Sequence, residues 1–64
     1  MLNKNKMDIT ELRKEALRLI DSYPHKSEEI RSYYQLALDE IEDGGSVENE
    51  CHLAWSDMLE CINE

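Results

Sequence analysis

From position 32 to its end the chain contains no lysine and no arginine. That half cannot supply the basic stripe that holds nucleic-acid phosphates, so direct DNA or RNA binding is not expected. Phenylalanine is absent, there is one proline, and the only two glycines are adjacent, Gly44–Gly45. A lone glycine pair after an apolar-periodic segment reads as a helix terminator, and nothing resembles a glycine-rich phosphate loop. The two cysteines, Cys51 and Cys61, form no CxxC pair and are too few for a disulfide framework. No HxxxH spacing accompanies them, so a zinc site is not expected, nor is a Cys–His nucleophile with its orienting third group. No window is apolar for long enough to cross a bilayer. The opening MLNKNKM has a lone leucine among lysine and asparagine, unlike a secretory leader. The expected location is the cytoplasm, and neither membrane contact nor a cofactor is expected.

What is present is acid. Residues 1–31 hold all seven basic residues against six acids, a charge of +1. Residues 32–64 hold nine acids and no base, a charge of −9, which completes the formal −8 of the chain. Such asymmetry constrains the partner surface more than the fold.

The apolar residues recur at three- and four-residue steps, which predicts an all-α domain. Sixty-four residues form one domain with a small core, here expected over 8–64 after a flexible basic tail at 1–7. The first helix is expected at about 8–23, begun by an Asp8–Glu11 capping pair and ended before Pro24. Its inner face is Ile9, Leu12, Ala16, Leu19, Ile20 and Tyr23, with Leu17 on the flank. The second is expected at about 27–43, capped by Ser27 and closed by Gly44, with Ile30, Tyr34, Ala37, Leu38 and Ile41 inward. The third is expected at about 46–63, capped by Ser46. Val47, Cys51, Ala54, Trp55, Met58, Leu59 and Ile62 give it the broadest apolar face, which places Trp55 at the centre of a three-helix bundle. Cys61 falls on another side of that helix.

Two leucines do not fit these faces. Leu36 lies among Glu29, Asp39, Glu40 and Asp43, and Leu53 among Glu50, Asp57, Glu60 and Glu64. Single exposed leucines are ordinary, and acid on a small protein commonly serves only solubility. The same arrangement on two adjacent helices instead suggests apolar anchors ringed by charges that select a basic partner. Tyr33, at the edge of the second helix, joins this set. Carboxylates three or four apart on a helix lie about 5–6 Å from one another, on the scale of phosphate spacing. A basic groove built for nucleic acid would accept that surface. Asp39, Asp43, Gly44 and Glu50 match part of a calcium loop, but Ile41 occupies a position that requires an oxygen ligand.

The expected function is therefore binding rather than catalysis. The chain reads as an inhibitor or regulator that engages a basic protein, such as a nucleic-acid-handling or defence protein, by mimicry of nucleic acid or otherwise. The expected contact residues are Tyr33, Leu36, Asp39, Glu40, Asp43, Glu50, Leu53, Asp57 and Glu60. The small core also predicts a homo-oligomer, most simply a two-fold dimer. The competing readings are an oligomer that holds a small ligand between subunits and a purely structural assembly module.

Overall fold

The computed structural model describes residues 7–64. Within them the chain forms three α-helices and no strand: α1 at Ile9–Ser22, α2 at Ser27–Glu42 and α3 at Val47–Ile62. Local chemistry sets the start of each helix and the end of α2. At the start of α1 the Asp8 carboxylate accepts the Glu11 amide at 2.9 Å, satisfying one of the orphan N–H groups of the first turn. Ser46 does the same for Asn49 at the start of α3, at 3.3 Å.

The turn after α2 needs both glycines. Gly44 takes a φ of +109°, which a side chain would strain. Its amide donates to Ile41 O at 3.0 Å and that of Gly45 to Glu40 O at 2.8 Å. This paired closure of the last carbonyls is the Schellman arrangement. A Cβ on Gly45 would stand 2.8 Å from that same Glu40 carbonyl oxygen and 3.1 Å from Glu50 Cγ.

The start of α2 differs from the expectation. Ser27 does not cap it; with φ −59° and ψ −38° it is already helical. Pro24–Lys26 form a 3-10 turn that runs directly into the helix, and the Ser27 amide donates to Pro24 O. Pro24 favours that turn because its fixed φ suits the first position of a helix.

The fully buried side chains are Leu12, Ile30, Met58 and Cys51, contributed by all three helices. Ala16, Leu19, Ala37 and Ala54 extend the interior, with small residues where the helices approach. On α3 the buried stripe is Cys51, Ala54, Met58 and Cys61. Four sequence-based assignments are corrected here. Cys61 shares the buried stripe with Cys51 instead of lying on another side. Trp55 stands one residue to the flank of that stripe, half-buried, and Met58 takes the centre. The indole of Trp55 meets His52 edge-on at 6.5 Å, while its Nε1–H is buried without a hydrogen-bond acceptor. Val47, expected inside, is 40% exposed because the buried stripe begins only one turn later, at Cys51. Met7 is buried and belongs to the core, so the expected tail does not include it; residues 1–6 lie outside the described residues.

Among the described residues, no helix is long and apolar enough to cross a membrane.

Candidate functional site

Leu36 on α2 and Leu53 on α3 are 53% and 60% exposed, and the fold brings them to one groove. Its floor is Ala37 and Ala54, both buried, and its rim carries Tyr33, Glu40, Glu50 and Asp57. The order of these residues shows how α2 and α3 pair. Tyr33, Leu36 and Glu40 ascend along α2 while Asp57, Leu53 and Glu50 descend along α3. The Cys61 contact with Glu29 continues the same antiparallel register. Small alanines at the helix–helix seam let the two backbones approach, so the neighbouring leucines stand above the seam instead of filling it. The resulting cavity is shallow, about 130 Å³.

The rim is electrostatically one-sided. The ion pairs among the described residues are Lys14–Glu11, Arg18–Glu15 and Lys26–Glu29. None involves Glu40, Glu50 or Asp57, so three carboxylates, those of Glu40 and Asp57 exposed and that of Glu50 half-buried against Gly45, ring an apolar floor without an ion-pair partner among the described residues. Exposed ion pairs of this kind are individually weak, but carboxylates with no partner sum into a field that reaches outward. The Tyr33 phenol stands at this rim. Partial desolvation pushes its pKa up, and Cys61, Asp57, Glu29 and Glu64 push it further in the same direction. The phenol is therefore a protonated donor at neutral pH, placed at the edge of an acceptor-rich surface.

Cys61 lies beside this end of the groove. Its thiol donates to Glu29 Oε1 at 3.4 Å, and Glu29 is in turn 3.6 Å from the Lys26 ammonium. Burial raises the thiol pKa most, followed by the hydrogen bond and charge of Glu29, with Lys26 opposing. Cys51 is raised as well, by burial and then by Asp8 and Glu50. A reactive or metal-binding cysteine needs the opposite environment, one that favours thiolate. Both thiols are free, and among the described residues no three His, Cys, Asp or Glu side chains are grouped to hold a metal ion.

Six of the nine residues expected at the contact surface thus meet at the groove: Tyr33, Leu36, Glu40, Glu50, Leu53 and Asp57. Asp39, Asp43 and Glu60 do not line it. Asp39 accepts a hydrogen bond from Gln35 Nε2 at 3.1 Å, toward the other side of α2. Asp43 is the C-cap of α2, with its amide donating to Asp39 O at 3.0 Å. Glu60 is exposed on α3 away from the cavity. The alanines of the floor were missed because each reads from the sequence as an ordinary core residue.

A second groove flanks α2 on its opposite side, between α1 and α2. Arg13, Ala16, Leu17, Ile20, Arg31, Tyr34 and Gln35 line it, around a cavity of about 280 Å³. No family model, curated protein or solved structure matches the chain.

Proposed function

We propose that the α2/α3 groove binds a basic surface on another protein and thereby inhibits or regulates that protein. One observation carries the reading: the two exposed leucines converge on a groove rimmed by Glu40, Glu50 and Asp57, none of them ion-paired among the described residues. Leu36 and Leu53 would be the apolar anchors, and the carboxylates would steer and select a partner rich in lysine and arginine. A nucleic-acid-handling or defence protein presents such a surface in its substrate groove, and the acidic face would occupy it in place of phosphates. The chain would act by binding, with no chemistry of its own, in a reducing compartment such as the cytoplasm that keeps both thiols free.

The size of the groove supports a protein partner over a ligand at this site. A cavity of about 130 Å³ is well below the ~300–1,000 Å³ of small-molecule pockets. It accommodates one or two protruding side chains instead. Self-association through the same face is opposed by charge, since a two-fold would set Glu40, Glu50 and Asp57 against their own copies. A homo-oligomer would have to use a different surface.

The test is capture from lysate at low and at high salt, with the parent chain and a Glu40→Lys, Asp57→Lys variant. Both positions are exposed, so the fold should survive. The parent should retain a basic protein at low salt, the variant should lose at least about tenfold in affinity, and raised salt should slow association. Retention of the same partner by the variant, or of acidic proteins alone by the parent, would remove the proposal.

A further inference from the structure

The α1/α2 groove has the opposite character. The described residues include five basic side chains: Arg13, Lys14, Arg18, Lys26 and Arg31. Lys14, Arg18 and Lys26 each pair with a glutamate three residues away on their own segment. Among the described residues, which include all fifteen Asp and Glu side chains, Arg13 and Arg31 form no ion pair. They lie on different helices, and both line the same cavity.

Between them the wall is apolar. Ala16 is buried, Ile20 and Tyr34 are half-buried, and Leu17 is 57% exposed. Gln35 closes one edge with its amide nitrogen engaged by Asp39. An exposed leucine beside two unpaired guanidiniums is a surface that lacks one complementary thing: an apolar body bearing negative charge. Guanidinium forks match a carboxylate bidentately. The cavity, about 280 Å³, is near the lower end of the range for small-molecule sites.

We infer that the α1/α2 groove is a binding site for a small apolar monocarboxylate, held by Arg13 and Arg31 at its carboxylate and by Leu17, Ile20 and Tyr34 along its body. The formal charge of −8 selects against alternatives of higher charge. A polyanion such as nucleic acid would be repelled by the rest of the surface, whereas a single carboxylate meets two local cations within a screened field. The inference is independent of the reading given to the α2/α3 groove.

Titration of the full chain with decanoate, followed by amide chemical shifts, tests it. The concentration is kept below that at which decanoate aggregates. Saturable shifts are expected at Ala16, Leu17, Ile20, Arg31, Tyr34 and Gln35. Decanol and decyltrimethylammonium, which share the chain but not the carboxylate, should produce no matching saturation. Arg13→Gln and Arg31→Gln should each weaken decanoate binding about tenfold or more, the size of one lost charge-assisted contact. Arg31→Lys should fall between parent and Arg31→Gln, because it keeps the charge but loses the fork. The amide spectrum of each variant reports whether the fold is kept, and parent titrations with the three decyl compounds decide the matter without any substitution. No saturation by decanoate, equal response to decanol, or shifts centred on Leu36 and Leu53 would each overturn the inference.

Discussion

The two grooves that flank α2 share a helix, and each sets exposed leucine beside charge, yet the charges are of opposite sign. On the α3 side, Leu36 and Leu53 sit with Glu40, Glu50 and Asp57. On the α1 side, Leu17 sits with Arg13 and Arg31. Tyr33 and Tyr34 are neighbours in sequence and go to opposite grooves, because successive residues on a helix point about 100° apart. The contrast teaches that the net charge of a small protein is a poor guide to any one of its surfaces. An overall −8 coexists with a patch whose only formal charges are two guanidiniums without carboxylate partners. All the basic residues precede α3; Arg13 and Arg31 fall on the α1 side of α2, while Lys26 pairs with Glu29 beside Cys61.

Both grooves depend on one interior, and removing part of it should abolish the contrast altogether. Ile30 is fully buried on α2. Ile30→Ala should cost about 2–5 kcal/mol, a large share of the stability of a domain this small. Trp55→Ala should cost less, about 1–3 kcal/mol, since the indole is half-buried and its removal also relieves an N–H that has no acceptor. Urea titrations of the two variants give the order directly. A Trp55 variant less stable than the Ile30 variant would restore Trp55 as the centre of the bundle.

How much of this was legible beforehand varies with the reach of the signal. The three helices and two of their caps follow from patterns within four residues, such as Asp8–Glu11 and Ser46–Asn49, and these stand as expected. Ser27 misleads because a serine before two glutamates looks the same whether it caps a helix or is its first residue; the 3-10 turn begun by Pro24 decides between them. Cys61 misleads because an apolar face broad enough to include Trp55 has its centre turned away from the stripe that is buried, Cys51, Ala54, Met58 and Cys61. Met7 precedes the helical period, so periodicity says nothing about it. The acid-rimmed groove was half visible, as two leucines out of phase on adjacent helices. The arginine groove was not visible at all. Arg13 and Arg31 are far apart in the chain, and each looks like an ordinary solvated base on its own helical wheel.

Raising the pH should sharpen the difference between the two sides. The acid side holds Tyr33 and, beside it, Cys61, and both have pKa values pushed upward, as has Cys51 in the core. These groups are neutral when protonated, so a raised value means that the folded chain keeps its protons to higher pH than the unfolded chain. Their stabilising contribution is therefore complete below the ordinary thiol range, about pH 8.5, and is lost as pH rises through the folded values. Urea midpoints should fall between about pH 8 and about pH 11, and a Cys51→Ala, Cys61→Ala variant should show a shallower fall. An unchanged slope in that variant would assign the alkaline loss to repulsion among the acids instead.

The smallest effect expected is also the one that most directly separates an interface from a structural surface. Leu36→Gln and Leu53→Gln remove side chains that are more than half exposed, 53% and 60%. Substitutions at such positions usually change stability by within about 0.5 kcal/mol. Leu17→Gln, at 57% exposure on the arginine side, should be equally silent in urea. If the leucines are contact residues, the cost should appear only in binding. Leu36→Gln and Leu53→Gln should weaken capture of a basic partner and leave the decanoate titration alone, while Leu17→Gln should do the reverse. A loss of more than about 1 kcal/mol of folding stability at Leu36 or Leu53 would show that these side chains hold α2 to α3. The acid-rimmed groove would then be part of the packing of the bundle, and the contrast between the two sides of α2 would be one of solvation alone.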